Sequence, residues 1–139
     1  MLTASEKEEI QECIRLAELK TSGEIRVHID KKCPSDPFEK AVTIFNKLKM
    51  YQTRDRNGVL IYLSFSDRKL AIIGDEGINN VVPSDFWEST KNELIFRFKR
   101  NEFTQGIIDA VTEAGKQLQQ YFPLKSDDKN ELSNEITME

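Results

Sequence analysis

Arg54–Asn79, RDRNGVLIYLSFSDRKLAIIGDEGIN, is the stretch whose reading decides the fold. Within it, Val59-Leu60-Ile61-Tyr62-Leu63 is an unbroken apolar run rich in β-branched and aromatic side chains. That pattern suits a strand buried on both faces. Leu70-Ala71-Ile72-Ile73 is a second run, and Ser66-Asp67 between them has turn chemistry. Two runs this close predict adjacent antiparallel strands. Gly74-Asp75-Glu76-Gly77 closes the second strand with two glycines around two carboxylates. Taken alone it reads either as an ordinary solvated turn or as an acidic turn where the backbone can approach a ligand closely.

Upstream, Glu24–Asp30 (EIRVHID) alternates strictly between apolar and polar residues, which predicts a strand with one polar face. His28, the single histidine, has no neighbouring histidine or cysteine and reads as a surface residue. Asp36-Pro37 offers a helix cap and a first-turn proline ahead of the stripe Phe38, Ala41, Val42, Phe45 and Leu48. A helix over about 37–50 between two strands of one sheet implies a right-handed parallel crossover. At the start, Thr3-Ala4-Ser5-Glu6 fits a capping box before Ile10, Cys13, Ile14 and Ala17, and Gly23 suits a left-handed helix end. Downstream, Ser84 or Asp85 caps a helix marked by Trp87, Leu94 and Phe98. Thr104 caps a last helix with the face Ile107, Ile108, Val111, Ala114, Leu118 and Tyr121. Residues 1–124 therefore read as one α/β domain, and 125–139 as an acidic, loosely ordered tail with Leu132 and Ile136 available for docking.

With 139 residues and a net charge of -4, the chain is long enough for one real core, and it lacks the basic stripe of a nucleic-acid binder. No run approaches the roughly 20 apolar residues of a membrane span, and MLTASEKEEI has no signal core, so the expected location is cytoplasmic, without a membrane anchor. Two cysteines make neither a disulfide framework nor a metal clip. Phosphate-loop, dinucleotide and nucleophile-elbow motifs do not occur.

The strand directions bring the acids together. If 24–30 and 58–65 run parallel and 69–74 runs back, Glu24, Asp55, Asn57, Asp75 and Glu76 share one edge of the sheet. Asp85 lies just downstream. Carboxylates with an amide suit a hard cation, calcium with its 6–8 oxygens or magnesium with more water. Separate surface charges are the bland alternative. The usual ligand position in open parallel sheets points instead to the opposite edge and to Asp30, Asp67 and Arg68.

Arg56-Asn57-Gly58-Val59-Leu60-Ile61, then Asp67-Arg68-Lys69, then Ile73-Gly74-Asp75-Glu76-Gly77-Ile78 resembles the TPM domain family, which includes the plant thylakoid protein of photosystem II repair. Phe86-Trp87 and the region from Phe98 to Phe122, with Gly106 and Gly115, are similar to the rest of the pattern, so the likeness spans about residues 5–123. The resemblance implies an α/β/α sandwich, with a small mixed β-sheet flanked by helices on both faces, and a divalent-cation site in an acidic crevice. Acid phosphatase activity is attributed to the plant member. Many relatives carry a signal peptide and an anchor, so this chain resembles a single-domain soluble variant. Three functions follow as expectations. The first is a cation-binding or regulatory module using Asp75, Glu76, Glu24, Asp55, Asn57 and Asp85. The second is a metal-dependent phosphatase, with Arg54, Arg56 or Arg68 on the phosphate and no catalytic residue assigned. The third is a protein-interaction module without chemistry.

Overall fold

The computed structural model describes residues 2–124 and 136–138. Its elements are α1 (Ala4–Glu18), β1 (Glu24–Asp30), α2 (Pro37–Lys47), a 3-10 turn (Met50–Gln52), β2 (Gly58–Ser64) and β3 (Lys69–Gly74). There follow α3 (Glu76–Asn79), α4 (Phe86–Lys99), α5 (Phe103–Tyr121) and β4 (Thr137–Met138). Local chemistry explains most of the helix starts. Thr3 and Glu6 form the reciprocal capping box of α1, Asp36 caps α2 with Pro37 at its first position, and Asp75 caps α3. Helix α5 starts without a side-chain cap: the Thr104 hydroxyl instead donates to Glu6 of α1 at 2.6 Å, tying two helices together.

The sheet order is β3-β2-β1-β4. β1 and β2 are parallel, with Glu24 opposite Gly58 and Asp30 opposite Ser64, and β3 returns antiparallel to β2. Helices cover both faces, giving an α/β/α sandwich. On one face Ile25, Val27, Ile29, Val59, Ile61 and Leu63 pack against Ile10 and Ile14 of α1, Leu94 and Phe98 of α4, and Ile107 and Val111 of α5. On the other, Leu60, Tyr62 and Ala71 meet Ala41, Ile44 and Phe45 of α2 and Met50. The period-2 alternation of β1 and the continuous run of β2 are both realised in this way.

Three expectations change. The polar row of β1 does not face water: Glu24, Arg26, His28 and Asp30 are all buried. β1 is an interior strand, because Thr137-Met138 pairs in parallel with His28-Ile29 beyond it. Buried polar side chains persist when they bond one another, and His28 does so rather than standing at the surface. Gly23 is not left-handed. It is needed because a Cβ there would lie 2.5 Å from Leu118 Cδ2. The turn after β3 is not an ordinary solvated one, since 76–79 is helical and packed on the loop before β2. In the tail, Ile136 packs on the core. Leu132 and residues 125–135 lie outside the described residues.

Candidate functional site

The parallel register of β1 and β2 puts the beginnings of both strands, and the end of β3, along one edge. The loop entering β2 is fixed by its own hydrogen bonds: Arg56 N–H donates to Thr53 O and Asn57 N–H to Thr53 Oγ1. Arg56 sits at φ 52°, a left-handed conformation uncommon for a residue with a side chain. That backbone turn sends its carbonyl to the Gly77 N–H at 2.8 Å. Its guanidinium grips Asp75 through both carboxylate oxygens, at 2.7 and 2.9 Å, with Glu76 at 3.4 Å. Asp75 also accepts from the Glu76 N–H at 2.8 Å. Asp75 and Glu76 are thus engaged by an arginine, an arrangement the sequence reading does not anticipate.

Deeper along the edge, the Asn57 amide donates to Ser22 Oγ at 3.2 Å, and the Ser22 hydroxyl donates to Asp55 at 3.4 Å. Asn57 is only 1% exposed, and its Oδ1 has no hydrogen-bond partner among the described residues. Glu24 is buried in register with Gly58, next to Asn57 in the chain. It meets a second buried acid, Glu18 at the end of α1, which accepts from the Ile25 N–H at 2.8 Å. Burial, followed by the hydrogen bond and charge of Glu24, pushes the Glu18 carboxyl up to about 9, so one proton is shared by the pair at neutral pH. Sequence reasoning passes over Glu18 and Ser22. The signal for Glu18 is an acid at the i+4 position after Ile10 and Ile14, on the buried stripe of α1.

The remaining candidates are placed elsewhere. Asp85 stands just before α4 without the expected side-chain cap bond, and lines a depression on that helix with Glu88, Glu93 and Arg97. Arg68 donates to the Phe98 carbonyl at 2.8 Å and to Asn101 at 3.0 Å, and lies over the Phe103 ring. Arg54 approaches Asp55 at 3.6 Å. The three arginines do not converge on a common phosphate position, since Arg56 faces Asp75 and Arg68 belongs to the opposite edge. Among the described residues no group of three or more acids, histidines or cysteines forms a ready metal cage.

At the opposite edge lies a closed buried network. Tyr62 OH donates to Asp30 Oδ2 at 2.7 Å, and Asp30 Oδ1 meets His28 Nε2 at 2.9 Å. His28 Nδ1 meets Thr137 Oγ1 at 2.7 Å, and the His28 ring stacks on Tyr62. Burial, with the contacts to Cys33 and Asp30, raises the Tyr62 phenol and keeps it protonated. Asp67 accepts from Ser64 and from the Cys33 N–H, holding the loop after β1. Asp30, Asp67 and Arg68 are therefore committed to internal bonds. Tyr62→Phe leaves a buried Asp30 oxygen without its donor, and a loss of about 1–3 kcal/mol in unfolding free energy is expected by urea titration.

A sandwich of this kind, with a short mixed sheet and oxygen-bearing side chains at the start of its parallel strands, defines a compact α/β domain. Residues 1–117 match the TPM domain family, and the chain belongs to it. It is similar over its full length to a solved structure, the BA42 protein from the psychrophilic bacteria Bizionia argentinensis sp. nov., determined by NMR. The two are 47% identical, the match covers 96% of that chain, and the TM-score is 0.91. No curated protein matches. No helix among the described residues is long and apolar enough to cross a membrane.

Proposed function

We propose that this TPM domain binds a divalent cation, calcium ahead of magnesium, where β1 and β2 begin, and works as a binding module rather than a catalyst. The observation that carries the proposal is Asn57 Oδ1, a buried amide oxygen with no donor among the described residues. Such an acceptor is destabilising by roughly 1–3 kcal/mol unless water or an ion meets it. Asp55, reached through Ser22, and Glu24, in register with the residue after Asn57, supply carboxylates. The donors are all oxygens, the preference of calcium and magnesium, and water would complete a coordination shell of 6–8. Asp75 and Glu76, held by Arg56, set the outer rim.

Titrating calcium and then magnesium into metal-stripped, 15N-labelled protein tests the reading. Saturable amide shifts at 22–24 and 55–58 are expected, with affinity falling at least about tenfold (near 1.4 kcal/mol) in Asp55→Asn and unchanged in Asp85→Asn. The proposal is wrong if neither ion gives saturable shifts by about 10 mM, above the weakest protein calcium sites. It is equally wrong if Asp55→Asn binds like the parent.

A further inference from the structure

β3 is the last strand of the sheet, and its outer edge is open. The Asp75 N–H bonds Gly58 O at 2.9 Å, so the main chains at 58 and 75 turn toward each other at the end of the β2–β3 ladder. By alternation, 73, 71 and 69 turn their backbone groups toward β2, and 70, 72 and 74 turn theirs outward. The Gly74 carbonyl is taken by the Asn79 side chain at 2.8 Å. The N–H and C=O of Leu70 and Ile72 and the N–H of Gly74 have no partner among the described residues. Edge strands are normally blunted by proline, a bulge or inward charge. The sequence of β3, KLAIIG, has a single charge, at its first position.

A groove of about 350 Å³ runs along this edge with Leu70–Gly74 as its floor. Phe38 of α2, 57% exposed, stands on one side, and Trp87 and Lys91 of α4 on the other. Lys91 is half-buried and makes no ion pair with a described residue, although two acids, Asp36 and Glu88, also line the groove. Asp36 caps α2, and Glu88 is exposed on α4. The i,i+4 spacing of Trp87 and Lys91, about 6 Å along a helix, matches the spacing of about 6.7 Å between same-face residues of a strand.

We propose that the β3 edge binds an extended peptide segment of a partner protein by strand addition. The segment places an apolar side chain on Trp87 and, two residues away, an acidic side chain on Lys91. The intervening residue, on the other face, packs against Phe38. The main-chain groups of 70, 72 and 74 supply the affinity, and the charge on Lys91 supplies the selectivity.

The probe is the blocked peptide acetyl-Thr-Val-Val-Glu-Thr-Lys-amide, titrated into 15N-labelled full-length protein, with a control in which its glutamate is lysine. Saturable shifts are expected at 70–74 and at the Trp87 indole, with slower hydrogen exchange at Leu70, Ile72 and Gly74 only in the complex. The control should bind about fivefold more weakly, the usual effect of one exposed ion pair, and Lys91→Glu should reverse that preference. Lys91 lies on a helix surface, so this variant leaves the fold intact. Absence of saturable shifts at millimolar peptide overturns the proposal, as do shifts confined to the α1–α5 surface. Protection of the same three amides in the free protein, accompanied by dimerisation in sedimentation, overturns it in favour of a second copy as the occupant.

Discussion

Gly77→Ala is expected to lower the unfolding free energy by about 3 kcal/mol or more, the upper end of what overpacking does in a close-packed site. A Cβ at 77 would lie 2.0 Å from the Asp55 carbonyl oxygen and 2.7 Å from that of Arg56. Both obstacles are main chain, so no side-chain rotation relieves them. The loop cannot retreat without giving up the Arg56–Thr53 and Asn57–Thr53 bonds, the Gly77–Arg56 bond and the two-pronged grip on Asp75. The requirement is steric, since no glycine here has a positive φ. Urea unfolding of the variant measures it. A loss under about 1 kcal/mol would mean that the loop yields and that the edge is softer than its hydrogen bonds indicate.

The second large effect is a fall in stability with rising pH, traced to Glu18. In the folded protein its carboxyl holds a proton up to about 9, whereas the ordinary value is 4.5. Between those limits the folded chain binds a proton that the unfolded chain has released. The contribution of this proton is therefore complete below about 4.5, declines by up to about 1.4 kcal/mol per pH unit, and is gone above about 9. From pH 6 to pH 8 the decline is of the order of 2–3 kcal/mol. Glu18→Gln keeps the shape, can donate to Glu24, and carries no titrating proton. The variant should unfold with nearly flat pH dependence and exceed the parent in stability at pH 8 and above. Denaturant midpoints of both proteins, measured from pH 5 to 9 in metal-free buffer, decide it. Parallel slopes would show that Glu18 is ionised in the folded state.

Much of the architecture is written in local patterns. The apolar run of β2, the hairpin with β3, the alternation of β1 and the caps of α1 and α2 each follow from a few neighbouring residues. What escaped depends on distant partners. The polar face of β1 reads as solvated until Thr137 and Tyr62 are seen beside His28. Thr137-Met138, two residues in a polar segment, carry no strand pattern of their own, because their pairing is decided by β1. Thr90 interrupts the stripe of α4 on paper, yet it is buried with its hydroxyl on the Phe86 carbonyl. At the edge of β1 and β2 the sequence brought Glu24, Asp55 and Asn57 to the right neighbourhood through strand direction alone. It could not show that Arg56 would take Asp75, because the left-handed turn at Arg56 is set by the packing of Gly77.

The pairing of β4 with β1 joins residues 109 positions apart, His28 and Thr137. A ribosome releases the amino-terminal part of a chain first, at about 5–20 residues per second. The α/β layers up to α5 are thus synthesised roughly 1–3 seconds before Thr137-Met138. In that interval the nascent domain has both flanks of its sheet unprotected, and the imidazole of His28 waits for its hydroxyl partner. Residues 136–138 therefore act as a clasp that closes the free flank of β1 after the rest of the sheet has been made.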